Sequence, residues 1–383
     1  MNNEAQEIEQ LMLDAVDKFL TKIKPSVREL EANDEYPEEI VNEMKELGLF
    51  GAVIAPEYGG LGLPVSTYAK IVERVACVWM SLTGVFNSHL IMSMSVQRFG
   101  TAEQKEKWLP LFASGEVRGA LALTEPNCGT DLQAIRTVST RDGDDYIING
   151  SKAWITNSLH GSCFALLVKT DPDAKPAHKG MSLFIAPKGE GFVMGSKHKK
   201  LGYKGIDTAE FFLDDYRLPA ENLIGLEEGN GLQHALGALA LGRINVASRG
   251  IGVALAALND SIEYSQQRKT FGKPICEHQA IQIYLADMAT RVEAARLLVQ
   301  SAANAFDRGE RCDMEAGMAK LYATEAAMSN SAEALRIHGA YGYSTEFNVE
   351  RYYRDAPLLA IGEGTNELQR IIIARQLIEQ NQI

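Results

Sequence analysis

The chain has 383 residues, 46% of them hydrophobic and 23% charged, so more than one core and more than one domain are expected of a globular protein. Its formal net charge of -12 at pH 7 argues against nucleic acid and anionic lipid as partners, and its five cysteines show no metal-ligand spacing. A cytoplasmic protein with no membrane segment is expected, because the acidic start is unlike a signal peptide and no continuous apolar run approaches about 20 residues.

The first part of the chain, residues 1–117, is predicted to be helical. Apolar residues recur every three or four positions from Glu7 to about Phe112, which is the period of an amphipathic helix. In the next part, residues 118–226, short apolar runs alternate with Gly, Pro, Asp and Asn. That pattern predicts a small antiparallel β domain.

The last part, residues 227–383, is predicted to be a helical bundle. After Pro219 the next prolines are Pro274 and Pro357, and alanine-rich sequence fills both gaps. One seam with alternating spacings of three and four is expected to pack within or between subunits; it consists of Leu285, Met288, Val292, Ala295, Val299, Ala302 and Phe306. The predicted fold class is α+β, mainly α.

Two motifs of the β domain could bind a flat polar ligand. "LTEPNCGTD", Leu123 to Asp131, is a loop after a strand that exposes hydroxyls and backbone N–H groups. "NGSKAWITN", Asn149 to Asn157, is a turn followed by a strand with an indole beside a hydroxyl. Each motif alone is more often an ordinary β-turn or a core strand.

Two motifs of the helical bundle could bind phosphate or nucleotide groups. "SQQRKTFGKPICEHQ", Ser265 to Gln279, places basic residues at a bend between two helices, although a solvated basic turn is an equal alternative. "RIHGAYGYSTEFNVERYYRDAP", Arg336 to Pro357, combines glycines and aromatic residues between two helices. A G-x-G-x-x-G loop after a strand is absent, which disfavours a Rossmann-bound cofactor.

Glu363 stands between two glycines in "LLAIGEGTNELQR", directly after apolar residues. Together with the four motifs above, in this order, this stretch resembles the acyl-CoA dehydrogenase family over essentially the whole chain. The resemblance implies an N-terminal helical domain, a central antiparallel β domain and a C-terminal four-helix bundle. It also implies a homotetramer arranged as a dimer of dimers, with one FAD per subunit, acting in acyl-CoA metabolism such as fatty acid β-oxidation.

The resemblance implies a set of cofactor-binding residues. Those beside the flavin and its ribityl chain would be Leu121, Leu123, Thr124, Gly129, Thr130, Trp154, Ile155 and Thr156. Those holding the pyrophosphate and adenosine, some across a subunit boundary, would be Arg268, Thr270, Phe271, His278, Gln279, Arg336, Gly339, Ala340, Thr365 and Glu367.

By the same resemblance, Glu363 is the catalytic base of an α,β-dehydrogenation. It would remove the α proton of an acyl-CoA thioester while the β hydrogen leaves as hydride to flavin N5, and its backbone N–H and a ribityl hydroxyl would stabilise the enolate. Burial against the apolar neighbours should raise the pKa of Glu363 and make it a stronger base. Substrate contacts are expected from Thr130, Arg243, Gly362 and Gly364.

Departures from the family pattern bear on the base and the substrate. Gly242 occupies the position that carries the base in some members, which favours Glu363. Gly362 replaces a frequent tyrosine and would admit a bulky, branched or cyclic acyl group, whereas Leu82 lies near the arginine of glutaryl-type members and disfavours a dicarboxylic substrate. Arg336 and Ala240 replace a common glutamine and aspartate, at a cofactor and a pantetheine contact.

An electron-transferring flavoprotein is the expected electron acceptor. An oxidase that reacts with oxygen, or a dehydrogenase of acyl groups on an acyl-carrier protein, would share the same fold. A non-catalytic scaffold that binds CoA is the alternative from another class of protein.

Overall fold

A computed structural model describes residues 3–382. The N-terminal part is helical: α1 (Asn3–Ile23), α2 (Val27–Ala32), α3 (Glu38–Glu46), α4 (Val65–Phe99) and α5 (Ala102–Ala113). α5 begins at a capping box, in which the Thr101 side chain accepts from the Gln104 N–H and the Gln104 side chain accepts from the Thr101 N–H.

Helix α4 is interrupted at Trp79, whose φ of -152° and ψ of 100° are not helical. Tyr68 and Asn87 lie on opposite sides of this break, yet the Tyr68 hydroxyl is 3.4 Å from Asn87 Oδ1. A straight helix would separate two residues nineteen positions apart by about 28 Å. The break therefore folds the two halves of α4 against each other.

Seven strands form the central sheet: β1 (Gly119–Ala122), β2 (Val138–Asp142), β3 (Asp145–Thr156), β4 (Cys163–Lys169), β5 (Met181–Pro187), β6 (Phe192–Lys197) and β7 (Thr208–Pro219). Their order is β1-β4-β2-β3-β7-β6, and β5 pairs with β4 outside this order. Pairing is antiparallel except where β4 runs parallel to β1 and, at one residue pair, to β2.

The C-terminal part consists of α6 (Gly231–Gln267), the hairpin β8 (Lys269–Thr270) and β9 (Lys273–Pro274), α7 (Gln279–Asp307), α8 (Asp313–His338), α9 (Val349–Ile361) and α10 (Asn366–Gln380). α8 packs against α6, α7, α9 and α10, and α6 also packs against α4. The predicted fold class is confirmed. The predicted seam of α7 is confirmed too: its five central residues are buried, and Leu285 and Phe306 are partly buried.

Among the described residues one helix, α4, is long and apolar enough to cross a membrane by length and composition, although no continuous apolar run of that length occurs in the sequence. In this structure 83% of the apolar stretch of 18 residues that meets this test is buried inside the protein, and Trp79 interrupts the helix. These are the features of a core helix, and the expected absence of a membrane segment stays a prediction.

Candidate active site

Glu363 lies in the short connection between α9 and α10. α9 ends at Ile361, and Gly362 has an extended backbone with φ of -68° and ψ of 155°. Glu363 itself adopts a left-handed conformation with φ of 53°, which is uncommon for a residue with a side chain. Gly364 follows with φ of 91°, where a Cβ atom would also lie 2.7 Å from Gln369 Nε2. Gly364 is therefore required by the turn, and Glu363 is held in a strained conformation.

Lys320 of α8 fixes the connection between α9 and α10 by three hydrogen bonds. Its side chain is fully buried, and its ammonium donates to the carbonyls of Ala360 at 3.2 Å and Gly364 at 2.9 Å and to Asn366 Oδ1 at 2.9 Å. Burial lowers the pKa of Lys320 to about 8, against the opposing effect of Glu363 and Glu367. The sequence reasoning missed this residue, because nothing local distinguishes a lysine that points inward from α8.

The Glu363 carboxylate points between α4 and α6. Asn87 Nδ2 donates to Oε1 at 2.8 Å, whereas Oε2 is buried and has no hydrogen-bond partner. A Cβ atom on Gly242 of α6 would lie 2.1 Å from Oε2 and 2.7 Å from Ile91 Cδ1. Any side chain at position 242 would thus collide with the carboxylate. The two positions that could carry a base converge on the same space, and only one of them can be occupied.

The electrostatic environment favours a neutral Glu363 more than water would. Burial raises the pKa of Glu363 above its ordinary value, and this effect outweighs the stabilisation of the carboxylate by Arg249, Asn87, Lys320 and Arg243. The direction agrees with the expectation from sequence. A carboxylate with a raised pKa and one free oxygen can accept a proton from a bound molecule.

Arg243, the expected contact of the thioester arm, is buried on α6. Its Nη1 donates to Asp313 Oδ1 at 3.2 Å, while its Nε is buried without a partner. Buried polar groups are seldom left unpaired, so this N–H is available to a ligand. Ala240, one turn earlier, is buried against Ala305 and Cys312.

The residues expected beside the flavin gather where β1 and β3 end. The Ala153 N–H donates to the Thr124 carbonyl at 2.9 Å, which joins the segment after β1 to β3. Trp154 has φ of 61° where the register of β3 against β7 shifts, and its indole is 58% exposed and stacked on His198 at 4.2 Å. An exposed indole near Thr124 and two residues from Thr156 fits a flat aromatic ring with polar edges.

The other residues of this group differ in exposure. Gly129 and Thr130 are exposed, Leu121 is partly buried, and Leu123 is buried. The Ile155 side chain belongs to the core of the β domain, so only its backbone can face a ligand.

A buried ion pair, which sequence reasoning missed, supports the loop after β1, Leu123 to Asp131, which is called the Thr124 segment below. Lys152 Nζ lies 2.8 Å from Glu125 Oε1, and both side chains are buried. Lys152 also donates to the Leu123 carbonyl at 3.1 Å, and the same Glu125 oxygen accepts from the Thr137 hydroxyl at 2.6 Å. Both ionic residues stand inside the two quoted motifs, but their pairing depends on how β3 meets the segment after β1.

The residues expected to hold the pyrophosphate and adenosine lie mainly at the junction of α6 and α7. Phe271 and Gly272 both have positive φ and form the two-residue turn of the β8–β9 hairpin. Phe271 is 97% exposed, and the Thr270 hydroxyl lies 3.0 Å from His278 Nε2. Arg268 is exposed at the end of α6, and Gln279, also exposed, begins α7.

The turn after α8 lies next to this hairpin. Tyr264, one helical turn before Arg268, stacks on His338 at 4.1 Å and donates to its carbonyl at 3.2 Å. Three residues near His338 that are expected to hold the nucleotide, Arg336, Gly339 and Ala340, are all exposed. Exposed guanidinium groups, hydroxyls and glycine backbone fit an anionic nucleotide.

Thr365 and Glu367 lie at the start of α10. The Thr365 side chain accepts from the Leu368 N–H, which caps the helix, and Glu367 is exposed in its first turn. The start of α10, the β8–β9 hairpin and the Thr124 segment are three separate groups. Among the described residues, no hydrogen bond joins any two of them. The structure therefore brings the expected residues together in separate groups.

Three family models match almost the entire chain. They are the acyl-CoA dehydrogenase N-terminal domain at residues 6–116, the middle domain at residues 120–216 and the C-terminal domain at residues 229–378.

Known proteins resemble the chain over most of their own length. An acyl-CoA dehydrogenase of Bacillus subtilis is 39% identical over 93% of this chain and 94% of the relative. Butyryl-CoA dehydrogenase of Megasphaera elsdenii has a TM-score of 0.93 at 38% identity and covers 99% of both chains. A chain in a structure described as the electron transferring flavoprotein of Acidaminococcus fermentans has a TM-score of 0.93 at 37% identity, covering 99% of this chain and 98% of that one.

Proposed function

Because the chain belongs to the acyl-CoA dehydrogenase family of FAD-dependent oxidoreductases, we propose that it oxidises an acyl-CoA thioester to the trans-2-enoyl-CoA with Glu363 as the base. The observation that carries this proposal is the Glu363 carboxylate, with one buried oxygen unpaired and its pKa raised by burial. A proton on the α carbon of a thioester is very weakly acidic, so it requires a base of this kind.

The surrounding residues would orient the base and the substrate. Lys320 keeps the connection between α9 and α10 fixed, and the unpaired Arg243 Nε would bind the polar arm of the thioester. Gly362 supplies no side chain, and a Cβ atom there would approach only Leu358 atoms, at 3.3 Å or more. Neither its backbone nor its packing requires glycine, which supports a role in leaving room for a branched or cyclic acyl group.

FAD would be held by the two clusters already described. The Trp154 indole and the Thr124 segment would bind its ring system and ribityl chain, and Arg268, Thr270 and His278 would bind its pyrophosphate and adenosine. Bound FAD supplies the oxidising capacity of the reaction by accepting the β hydrogen with its electron pair.

Two further partners are part of the proposal. An electron-transferring flavoprotein as acceptor is supported by the similarity to a chain from a structure that contains such a protein. A homotetramer is supported by exposed apolar side chains on α7 and α10, including Leu297 and Ile378, each 68% exposed. The 97% exposed Phe271 would also be covered if a second subunit contributed to the FAD site.

Anaerobic mixing of the FAD-containing protein with short, long, branched and cyclic acyl-CoAs tests the proposal. Absorbance of oxidised flavin should bleach with at least one of them, and Glu363→Gln should bind FAD but fail to bleach. Near-normal reduction in that variant would refute the assignment of the base. Slow reoxidation of the reduced protein in air is expected of a dehydrogenase, and rapid reoxidation would identify an oxidase instead.

A further inference from the structure

A continuous series of buried and partly buried hydrogen bonds leads from the Glu363 carboxylate to a buried arginine. Asn87 Nδ2 donates to Glu363 at 2.8 Å, and the Tyr68 hydroxyl donates to Asn87 Oδ1 at 3.4 Å. Asn245 Nδ2 donates to the Tyr68 oxygen at 2.7 Å, and Arg249 Nε donates to Asn245 Oδ1 at 2.6 Å. Tyr68 and Asn87 come from the two halves of α4, and the other two residues come from α6.

Arg249, at the far end of this series, is a buried cation without a carboxylate partner. Its remaining donors reach only neutral oxygens, the Tyr203 hydroxyl at 3.3 Å and the Thr83 carbonyl at 3.4 Å. Within residues 3–382, none of the ion pairs within 4.0 Å involves Arg249, although only 4% of the residue is exposed. A buried charge is costly unless an opposite charge compensates for it. Among the buried groups around it, Glu363 supplies that opposite charge.

All four hydrogen bonds run in one direction. A guanidinium can only donate and an ionised carboxylate can only accept, so the two ends fix the orientation of both amides and of the phenol between them. Hydrogen bonds aligned in this way polarise one another, which strengthens the bond at each end. A protonated carboxyl would still accept from Asn87 through its carbonyl oxygen, but a hydrogen bond to a charged acceptor is stronger, so the alignment favours the ionised form of Glu363.

We propose that Asn87, Tyr68, Asn245 and Arg249 are positioning residues that orient the Glu363 carboxylate and favour its ionised form before the substrate is bound. The inference rests on the proposed role of Glu363 as the base. It explains why Oε1 is held while Oε2 is left free: Asn87 fixes one oxygen and leaves the other for the α proton. It also assigns a function to the break of α4 at Trp79, which brings Tyr68 to Asn87.

Several other ionisable groups face the same carboxylate. Arg243 and Arg249 approach from α6 and Lys320 from α8, and all three stabilise the negative charge. The phenols of Tyr68 on α4 and Tyr203 before β7 are both affected by the charge of Glu363. Within residues 3–382, however, only Asn87 donates a hydrogen bond to the Glu363 carboxylate. Interruption of the series should therefore be distinguishable from the electrostatic effect of the three cations.

The decisive variant is Tyr68→Phe, which interrupts the series without removing any charge. It should be compared with Asn87→Ala, Arg249→Gln and the charge-conserving Arg249→Lys, all as FAD-containing proteins. Ser88→Ala is the matched control, since Ser88 neighbours Asn87 on α4 but lies outside the series. The infrared band of the protonated Glu363 carboxyl, identified by its loss in Glu363→Gln, is followed against pH.

Asn87→Ala and Arg249→Gln should each raise the midpoint of this band by about 1 pH unit, a tenfold change in proton affinity. Tyr68→Phe should give a smaller rise, and Arg249→Lys and Ser88→Ala should match the wild type. Where an acyl-CoA reduces the flavin, the acidic limb of kcat/KM should move with the band. An unchanged midpoint in Tyr68→Phe would overturn the inference even if Asn87→Ala shifts it, and this test does not depend on whether Arg249→Gln folds. The infrared measurement needs no substrate, so failure of every acyl-CoA to reduce the flavin would refute only the proposed function.

Discussion

Replacing Lys320 with methionine should separate the geometry of the base from the stability of the fold. Lys320→Met removes three hydrogen bonds from a charged donor, each worth about 1.5–3 kcal/mol. Two of the three acceptors keep another donor: Gly364 O retains Gln369 Nε2 at 3.2 Å, and Asn366 Oδ1 retains the Thr324 hydroxyl at 3.1 Å. The actual loss therefore lies near the lower end of the range.

The variant also removes a costly buried charge. The lowering of the Lys320 pKa from 10.5 to about 8 corresponds to about 3 kcal/mol of unfavourable free energy while the ammonium is charged. The loss of hydrogen bonds still exceeds this gain, and a net destabilisation of about 2 kcal/mol is expected. The methionine stem is unbranched and nearly as long as that of lysine, so a large cavity is not expected.

The effect on turnover should be much larger than the effect on stability. Without Lys320, Glu363 is free to relax from its left-handed backbone, and a displacement of about 1 Å can cost about 100-fold in rate. We expect kcat per bound FAD to fall by about that factor, with a fall of a few degrees in Tm.

Asn330→Ala is the matched control for this experiment. Asn330 is buried on the same helix and donates to the carbonyls of Ala254 and Met288, away from Glu363. It should lower Tm without changing kcat per bound FAD. If Lys320→Met and Asn330→Ala gave the same kcat per bound FAD, the proposed clamp on the base would be refuted.

Three further predictions follow from the same geometry. Because burial raises the pKa of Glu363, the folded state binds its proton more tightly than the unfolded state, and the ionised residue lowers stability at high pH. Glu363→Gln should therefore raise Tm at pH 8, and the gain should vanish as pH falls toward 4.5; an equal gain at both values would contradict this sign. Gly362→Tyr should fold with the wild-type Tm but lose kcat/KM for branched or cyclic acyl-CoAs more than for straight-chain ones, and an unchanged preference would contradict the role of Gly362. Lys152→Met leaves Glu125 buried without its cation, at a cost of about 3–5 kcal/mol, and should lower the FAD content of the purified protein through the Thr124 segment; an unchanged FAD content would count against it.

Local patterns were sufficient to predict the order of the structural parts. Periodicity of three and four identified the seam of α7, because one face of a helix must be apolar to pack. Glycines flank Glu363 in the sequence, and the structure shows positive φ values at Glu363 and Gly364, which were not predicted. The bend between α6 and α7 was predicted as well, although the β8–β9 hairpin was not.

Periodicity and turn chemistry act between near neighbours, so they were sufficient to predict the helical, β and helical order of the chain and to draw attention to Glu363. The groups that surround the Glu363 carboxylate are brought there by contacts between residues far apart in the chain. Lys320 donates to the carbonyl of Ala360, 40 positions later in the chain, and Asn87 donates to Glu363, 276 positions later. The need for glycine at position 242 is visible only once α6 lies against the Glu363 carboxylate, because a Cβ atom there would occupy the space of Oε2. Such contacts depend on the packing of whole helices, which no local pattern of residues encodes.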